Sequence, residues 1–164
     1  MSLVDPGRDE RLLEAVADVT FATQPEWARE VPFLLASFDF DPGLQRRLAI
    51  VDGEAVGYAS CGRIWMLAPD TPYAWAEIGV LPEHRGRGIG TELLAWARGR
   101  ALEIGKPGLQ VPCSSGRPEG IAFLEHRGFA EYDRMASVEL PLAGVERPVA
   151  AMPDLSLIHI SEPT

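Results

Sequence analysis

Apolar residues near the start of the chain recur every three or four positions, a spacing typical of an amphipathic helix. This pattern begins after Asp9, has acidic residues in its first turn, and is limited by Pro25. A second and weaker helical pattern, rich in aromatic residues, covers 27–38. The first part of the chain is therefore predicted to be helical.

Strand-like patterns follow. Segments 48–51 and 55–64 flank Asp52 and Gly53, a pair that favours a tight hairpin turn. A third strand is predicted over 73–81. These three segments predict an antiparallel first half of a sheet.

Helices and strands alternate in the second half of the chain. The patterns predict a helix over 88–104, a strand over 109–114, a helix over 118–126 and a strand over 129–140. The order indicates an α/β fold in which βα crossovers follow a hairpin-rich start.

The character of the chain changes after Leu140. We predict one domain over 1–140 and a Pro-rich linker over 141–154. The last segment, 155–164, does not continue the pattern and resembles translated sequencing-adapter read-through, the alternative being a disordered tail. If it is read-through, the natural protein could continue past Pro153, and a C-terminal second domain becomes an expectation.

Charge and composition exclude several functions. The net charge of −9 argues against nucleic-acid binding, which needs many Lys and Arg contacts to phosphate. No apolar stretch approaches the roughly 20 residues of a membrane helix, and no secretion signal is evident, so a cytoplasmic location is predicted. The three histidines are scattered, which predicts no metal site. Cys61 and Cys113 lie in apolar runs and are interpreted as small buried residues.

A glycine-rich turn between the third strand and the long helix carries the main functional signal. Its sequence from Arg85 is Arg-Gly-Arg-Gly-Ile-Gly. Glycines let a backbone approach a ligand closely, and a helix start offers N–H groups and a positive dipole end to a phosphate. The turn lacks the Lys-Ser/Thr of a P-loop, and its glycines are spaced G-x-G-x-G instead of the dinucleotide G-x-G-x-x-G.

The turn and its flanks resemble the acyl-CoA loop of the GNAT superfamily of N-acyltransferases. The motif of that family, Arg or Gln, two residues, Gly, one residue, Gly or Ala, matches Arg85, Gly88 and Gly90. A strand ending Val-x-Pro precedes the turn, and the later segment 123–129 resembles the aromatic-x-Glu-x-x-Gly-Phe segment of the family. The resemblance covers about 48–140 and implies a mixed, splayed sheet flanked by helices.

The resemblance also implies acetyl-CoA as cosubstrate, with no metal, and an N-acyltransferase that moves an acetyl or short acyl group to a primary amine. The implied acceptor is a small molecule or a peptide. The implied cofactor-binding residues are Gly79, Val80, Arg85, Gly86, Arg87, Gly88, Ile89, Gly90 and Thr91. In such a sheet the strand after the long helix splays away from its neighbour. Pro112 fits a position at this splay, because a backbone N–H there would have no partner in the ladder to bond.

Catalytic residues are less evident. Glu77, on the strand before the loop, occupies the position of the family's general base, the alternative being a structural or acceptor-binding role. The tyrosine that commonly protonates the leaving thiolate is replaced by Leu124, and Arg117 stands where an Asn is often found. Replacement donors are Tyr132, Ser114, Ser115 and Cys113. The loss of the tyrosine leaves open an alternative, a non-catalytic acyl-CoA-binding module of a truncated two-domain protein.

Aromatic residues give a last prediction. Four of them are candidates for the wall of an acceptor pocket, the alternative being core packing: Trp27, Phe33, Phe38 and Trp65. Trp75 and Trp96 are assigned to the core.

Overall fold

The computed structural model describes residues 1–25, 43–63 and 68–136. The chain divides into two compact units, 1–123 and 124–164, which are described separately. The predicted helical segment 27–38 and the predicted linker and tail lie outside the described residues, so these remain predictions.

The first unit contains a mixed five-stranded sheet in which the strands lie in chain order. The strands are β1 (Ser2–Val4), β2 (Gln45–Val51), β3 (Glu54–Gly62), β4 (Tyr73–Val80) and β5 (Gly108–Gln110). Neighbours from β1 to β4 are antiparallel, whereas β5 is parallel to β4. The predicted antiparallel first half is confirmed.

The β2–β3 connection is the predicted tight hairpin. Asp52 and Gly53 have φ values of 53° and 88°, so both adopt the left-handed conformation that a two-residue hairpin of this kind requires. A bulge between Ala49 and Ile50 shifts the register near the turn. The local sequence therefore determines both the turn and the strands beside it.

Helix α1 (Glu10–Thr23) begins at Asp9, whose side chain accepts a hydrogen bond from the N–H of Leu12 over 3.1 Å. Its apolar stripe packs on one face of the sheet. The buried residues of this layer are Val16, Val19, Leu48 and Tyr58. Burial of this stripe holds α1 against the sheet.

Helix α2 (Ile89–Glu103) covers the opposite face, and a 3₁₀ turn (Pro82–His84) precedes it. The buried residues of this layer are Ala49, Val56, Ala59, Ile89 and Leu93 beside β2 and β3, and Cys61, Ala74, Ala76, Ala97 and Ala101 farther along. The helix ends at the predicted Gly105, where φ is 74° and the N–H donates to the carbonyl of Leu102. None of the helices in the described ranges is long and apolar enough to cross a membrane.

Strands β4 and β5 diverge after a short paired segment. They pair only over three positions, from Tyr73 with Gly108 to Trp75 with Gln110. The prediction of a strand continuing to 114 is wrong, because the chain leaves the ladder before Pro112, which has no N–H to donate. Within the described residues, β4 therefore runs on from 76 to 80 without β5 beside it, which is the splay that the fold class implies.

Helix α3 (Pro118–Glu125) begins with the predicted proline in its first turn and crosses the boundary between the units. In the second unit it closes as predicted at Gly128, where φ is 84°. The N–H of Gly128 bonds the carbonyl of Glu125, and the N–H of Phe129 bonds that of Leu124. The predicted strand over 129–140 is wrong for 129–136, which has no regular structure, and 137–140 lies outside the described residues.

Candidate functional site

The glycine-rich turn has the backbone that its sequence demands. Gly86 and Gly88 have φ values of 72° and 84°, in the left-handed region that favours glycine. A Cβ built at either position would meet nothing within 4 Å. These glycines are thus required by backbone conformation, and the space in front of them is open to a ligand.

The same turn forms the N-terminus of α2. Gly88 is the N-cap residue, and its carbonyl accepts bonds from the N–H groups of Thr91 at 2.9 Å and Glu92 at 3.1 Å. Helix geometry leaves the earlier N–H groups without intrahelical acceptors and gives this end a positive potential. The side chain of Ile89 is buried in the core, so its N–H is what it can offer a ligand. Thr91 retains an exposed side chain.

Arg85 fixes the turn to the rest of the first unit. Its Nε donates to the carbonyl of Val80 at 3.0 Å, and its Nη1 donates to Oε1 of Glu119 at 2.9 Å. The guanidinium therefore ties the turn both to the end of β4 and to the first turn of α3. Arg87 is exposed beside it.

The free edge of β4 is defined by the alternation of the ladder. The N–H of Leu81 donates to the carbonyl of Val56 at 2.9 Å, so Leu81 has its backbone groups towards β3. Because an antiparallel ladder alternates, Gly79 also faces β3, whereas Ile78 and Val80 turn their backbone groups towards the gap left by β5. The edge next to the turn thus offers strand-like donors and acceptors to a ligand.

The packing around Gly79 leaves no room for a side chain. A Cβ at this position would overlap Oγ1 of Thr23 and the ring of Tyr58. The last turn of α1 and the tyrosine ring therefore lie directly on β4 here. The ring is fixed in turn by Gln24, whose Nε2 donates to the Tyr58 hydroxyl at 3.0 Å.

Glu77 is half-buried on the α1 face of β4. Oε1 accepts a bond from Nε1 of Trp75 at 3.2 Å, and the side chain of Ser60 also bonds the carboxylate. Burial raises the pKa of Glu77 above its ordinary value, and the Trp75 bond, the charge of Arg46 and the Ser60 bond oppose this shift. A raised pKa makes the ionised carboxylate a stronger base than an ordinary glutamate.

Register explains why these groups meet. Arg46 pairs with Ser60, and Ser60 pairs with Glu77, so the three residues form one row across β2, β3 and β4. Arg46 and Ser60 are 6% and 4% exposed, which makes the row a polar strip in an otherwise apolar layer. Charged groups are rarely buried in this way unless they are paired or functional.

Of the two tryptophans assigned to the core, Trp96 packs against it, whereas Trp75 makes a polar contact. Trp75 is half-buried, and its indole N–H is directed at Glu77. Trp96 is also half-buried, packing on the α2 core with the guanidinium of Arg47 5.2 Å from its ring centroid. The period-two alternation of β4 contained the signal for the first contact, because positions 75 and 77 share a face.

The replacement proton donors named from the sequence all lie at exposed positions. Ser114 and Ser115 are exposed on the segment after β5. Tyr132 lies in the irregular part of the second unit with 75% of its surface exposed. The predicted pocket residues 27, 33, 38 and 65 lie outside the described residues.

One cysteine prediction is confirmed and one is wrong. Cys61 is fully buried, and burial raises the pKa of its thiol to about 11. Cys113 is exposed, because β5 ends before it.

In the described ranges no group of three or more His, Cys, Asp or Glu residues could hold a metal ion.

A model of the acetyltransferase (GNAT) family matches residues 12–129, a span that includes the turn, the free β4 edge and Glu77. The chain belongs to the GNAT family. The curated relatives named below are acetyltransferases.

An L-2,4-diaminobutyric acid acetyltransferase of Nocardia farcinica is 37% identical over 75 residues, which cover 46% of this chain and 38% of the relative. A mycothiol acetyltransferase of Nocardiopsis dassonvillei is 31% identical over 98 residues, 60% of this chain and 27% of the relative. An aminoalkylphosphonate N-acetyltransferase of Salmonella typhimurium is 32% identical over 95 residues, 56% of this chain and 60% of the relative. The chain spans less than two thirds of each of these GNAT relatives.

Solved GNAT structures share the fold. An aminoglycoside N-acetyltransferase in complex with CoA aligns with a TM-score of 0.65 at 20% identity, covering 85% of this chain and 93% of that one. An aminoglycoside acetyltransferase from an uncultured soil metagenomic sample, in complex with sisomicin, aligns with a TM-score of 0.66 at 12% identity, covering 86% and 95%. The predicted mixed sheet flanked by helices is confirmed.

Proposed function

We propose that this chain is an N-acetyltransferase that moves an acetyl group from acetyl-CoA to a primary amine. The observation that carries the proposal is the placement of three features on one strand of the first unit. The anion-binding turn follows β4, the free edge of β4 lies beside the gap, and Glu77 follows the last β4 position paired with β5.

The turn suits the pyrophosphate of the cosubstrate. Backbone N–H groups from Arg85 to Gly90 would hold its oxygens at the positive end of α2, with Arg87 adding charge and Thr91 a hydroxyl. Backbone groups at the end of β4 would pair with the pantetheine arm as an added strand would. Of the predicted pair Gly79 and Val80, the alternation of the ladder favours Val80, together with Ile78, for these bonds.

Glu77 is proposed as the general base. It takes a proton from the acceptor ammonium, directly or through water, and the neutral amine attacks the thioester carbonyl through a tetrahedral intermediate. A backbone N–H near Val80 stabilises the oxyanion. The C–N bond forms first, and the C–S bond breaks when the intermediate collapses. The nitrogen loses its second proton to solvent, and the thiolate takes its proton from solvent, since position 124 is a leucine. Tyr132 stays a candidate donor.

The acceptor is proposed to be a small amine. The relatives support this, since two of them are acetyltransferases of diaminobutyric acid and of an aminoalkylphosphonate. A cytoplasmic location remains part of the same proposal.

Calorimetry with acetyl-CoA tests the first half of the proposal. The wild-type chain should bind, and Gly88→Glu should not, because a carboxylate would stand at the anion site. Equal binding by the two proteins, or no heat from the wild type at millimolar ligand, contradicts the assignment of the turn.

A CoA-release screen tests the second half, with diaminobutyrate, an aminoalkylphosphonate and an aminoglycoside as acceptors. Glu77→Gln should lower kcat/KM by roughly 100-fold while leaving acetyl-CoA binding intact. Tight binding without turnover on any amine would instead favour the non-catalytic module, for which Leu124 is the supporting residue.

A further inference from the structure

The side chain of Trp75 lies at the point where the sheet divides. Trp75 is the last β4 residue paired with β5, through Gln110. Glu77, two positions on, is the next residue on the same face and has β3 on one side of it and the gap on the other. The bond from Nε1 of Trp75 to Oε1 of Glu77, 3.2 Å long, therefore links the closed part of the sheet to the open part.

We propose that Trp75 is a positioning residue that holds the Glu77 carboxylate at the edge of the gap and sets the pH at which it accepts a proton. This inference rests on the proposed function, since it assigns a role towards the base of that reaction. The indole N–H is a donor only and does not titrate, so it favours the charged carboxylate without competing for the proton.

The other groups around Glu77 fit this role. Ser60 holds the carboxylate from β3, and Arg46 acts on it as a charge from β2. The neighbouring Tyr58 hydroxyl is engaged by Gln24 at the end of α1, and β5 contributes the neutral Gln110. A carboxylate has about four acceptor positions, so bonds from Trp75 and Ser60 leave room for an amine or a water.

Trp75→Phe separates this role from packing, because it retains an aromatic ring and removes the donor. Trp96→Phe is the matched control, since Trp96 is also a half-buried tryptophan but lies on α2 across the sheet. If Trp75→Phe does not fold, as judged by near-ultraviolet circular dichroism, benzothienylalanine at position 75 keeps the bicyclic shape and replaces N–H by sulfur.

The first measurement is a ¹³C NMR titration of the glutamate carboxyl groups, with Glu77→Gln used to assign the Glu77 resonance. Loss of the donor should raise the Glu77 pKa by roughly one unit in Trp75→Phe and leave it unchanged in Trp96→Phe. An unchanged Glu77 pKa in a folded variant overturns the proposal, whether or not an acceptor has been found.

The second measurement is the pH profile of kcat/KM on an active acceptor. The acidic limb should move upward by the same roughly one unit in Trp75→Phe, with the KM for acetyl-CoA unchanged. A profile superimposable on the wild type overturns the positioning role. Full activity of Glu77→Gln is a different result, because it removes the proposed base and with it the proposed mechanism.

Discussion

Nη1 of Arg85 donates to Oε1 of Glu119 over 2.9 Å, and this pair joins the turn before α2 to the first turn of α3. The two side chains are 39% and 53% exposed, so the pair contributes little to stability. Because Arg85 also holds the carbonyl of Val80, the pair acts on the shape of the turn more than on the stability of the fold.

We therefore expect Arg85→Gln to weaken acetyl-CoA binding by roughly tenfold, with little change in Tm, because a charge-assisted bond and the anchor to Val80 are both lost. Glu119→Gln should weaken binding less, since Arg85 keeps its bond to β4. Calorimetry and thermal melting measure the two effects.

Arg134→Gln is the matched control, because Arg134 also forms an exposed ion pair with a glutamate, Glu131, at 2.8 Å, and neither residue belongs to the glycine-rich turn or to α3. It should leave acetyl-CoA affinity unchanged. Equal losses of affinity in the Arg85 and Arg134 variants would show that the effect is one of overall charge.

The close contact at Gly79 gives a prediction on stability. Gly79→Ala should cost about 1–3 kcal/mol, because the new methyl group overlaps Thr23 and Tyr58. Gly99→Ala, at an exposed position in α2 with nothing within 4 Å, should stabilise by up to about 1 kcal/mol. Urea unfolding of the two variants measures both changes, and a neutral Gly79→Ala would contradict the packing of α1 on β4.

Glu77 gives a prediction on pH. Its pKa is raised in the folded state, so the native protein binds more protons than the unfolded chain above the ordinary pKa of 4.5. Stability should therefore fall as pH rises from about that value through the folded pKa. Glu77→Gln removes this dependence and should be the more stable protein above the window.

Melting temperatures of the wild type and Glu77→Gln between about pH 4 and pH 8 test this prediction, because the ordinary pKa of 4.5 marks the lower end of the pH range in which stability should fall. The curves should converge at the acidic end and separate towards neutral pH. A separation that grows on acidification would mean that the folded carboxylate is stabilised and its pKa lowered.

Much of the fold could be predicted from local sequence. Asp52 and Gly53 determine a turn, Asp9 caps α1, and Gly105 and Gly128 end helices, each through the chemistry of a few neighbouring residues. The glycine-rich turn is also determined locally, because its own glycines adopt the left-handed conformation that it requires.

The remainder depends on pairing between distant segments. The row from Arg46 to Glu77 exists only because β2, β3 and β4 adopt one register, which no local pattern encodes. The end of β5 also depends on pairing with β4, so the sequence pattern predicts a strand that is too long. Pro112 marked the divergence, but the strand had already lost its partner after Gln110.

The early end of β5 also determines how the protein can be labelled. Cys61 is inaccessible and remains protonated far above neutral pH, with a pKa of about 11, whereas Cys113 is exposed between β5 and α3. These are the two cysteines of the chain. A maleimide dye should thus attach at a single site, Cys113 on the segment between β5 and α3, without any engineered residue.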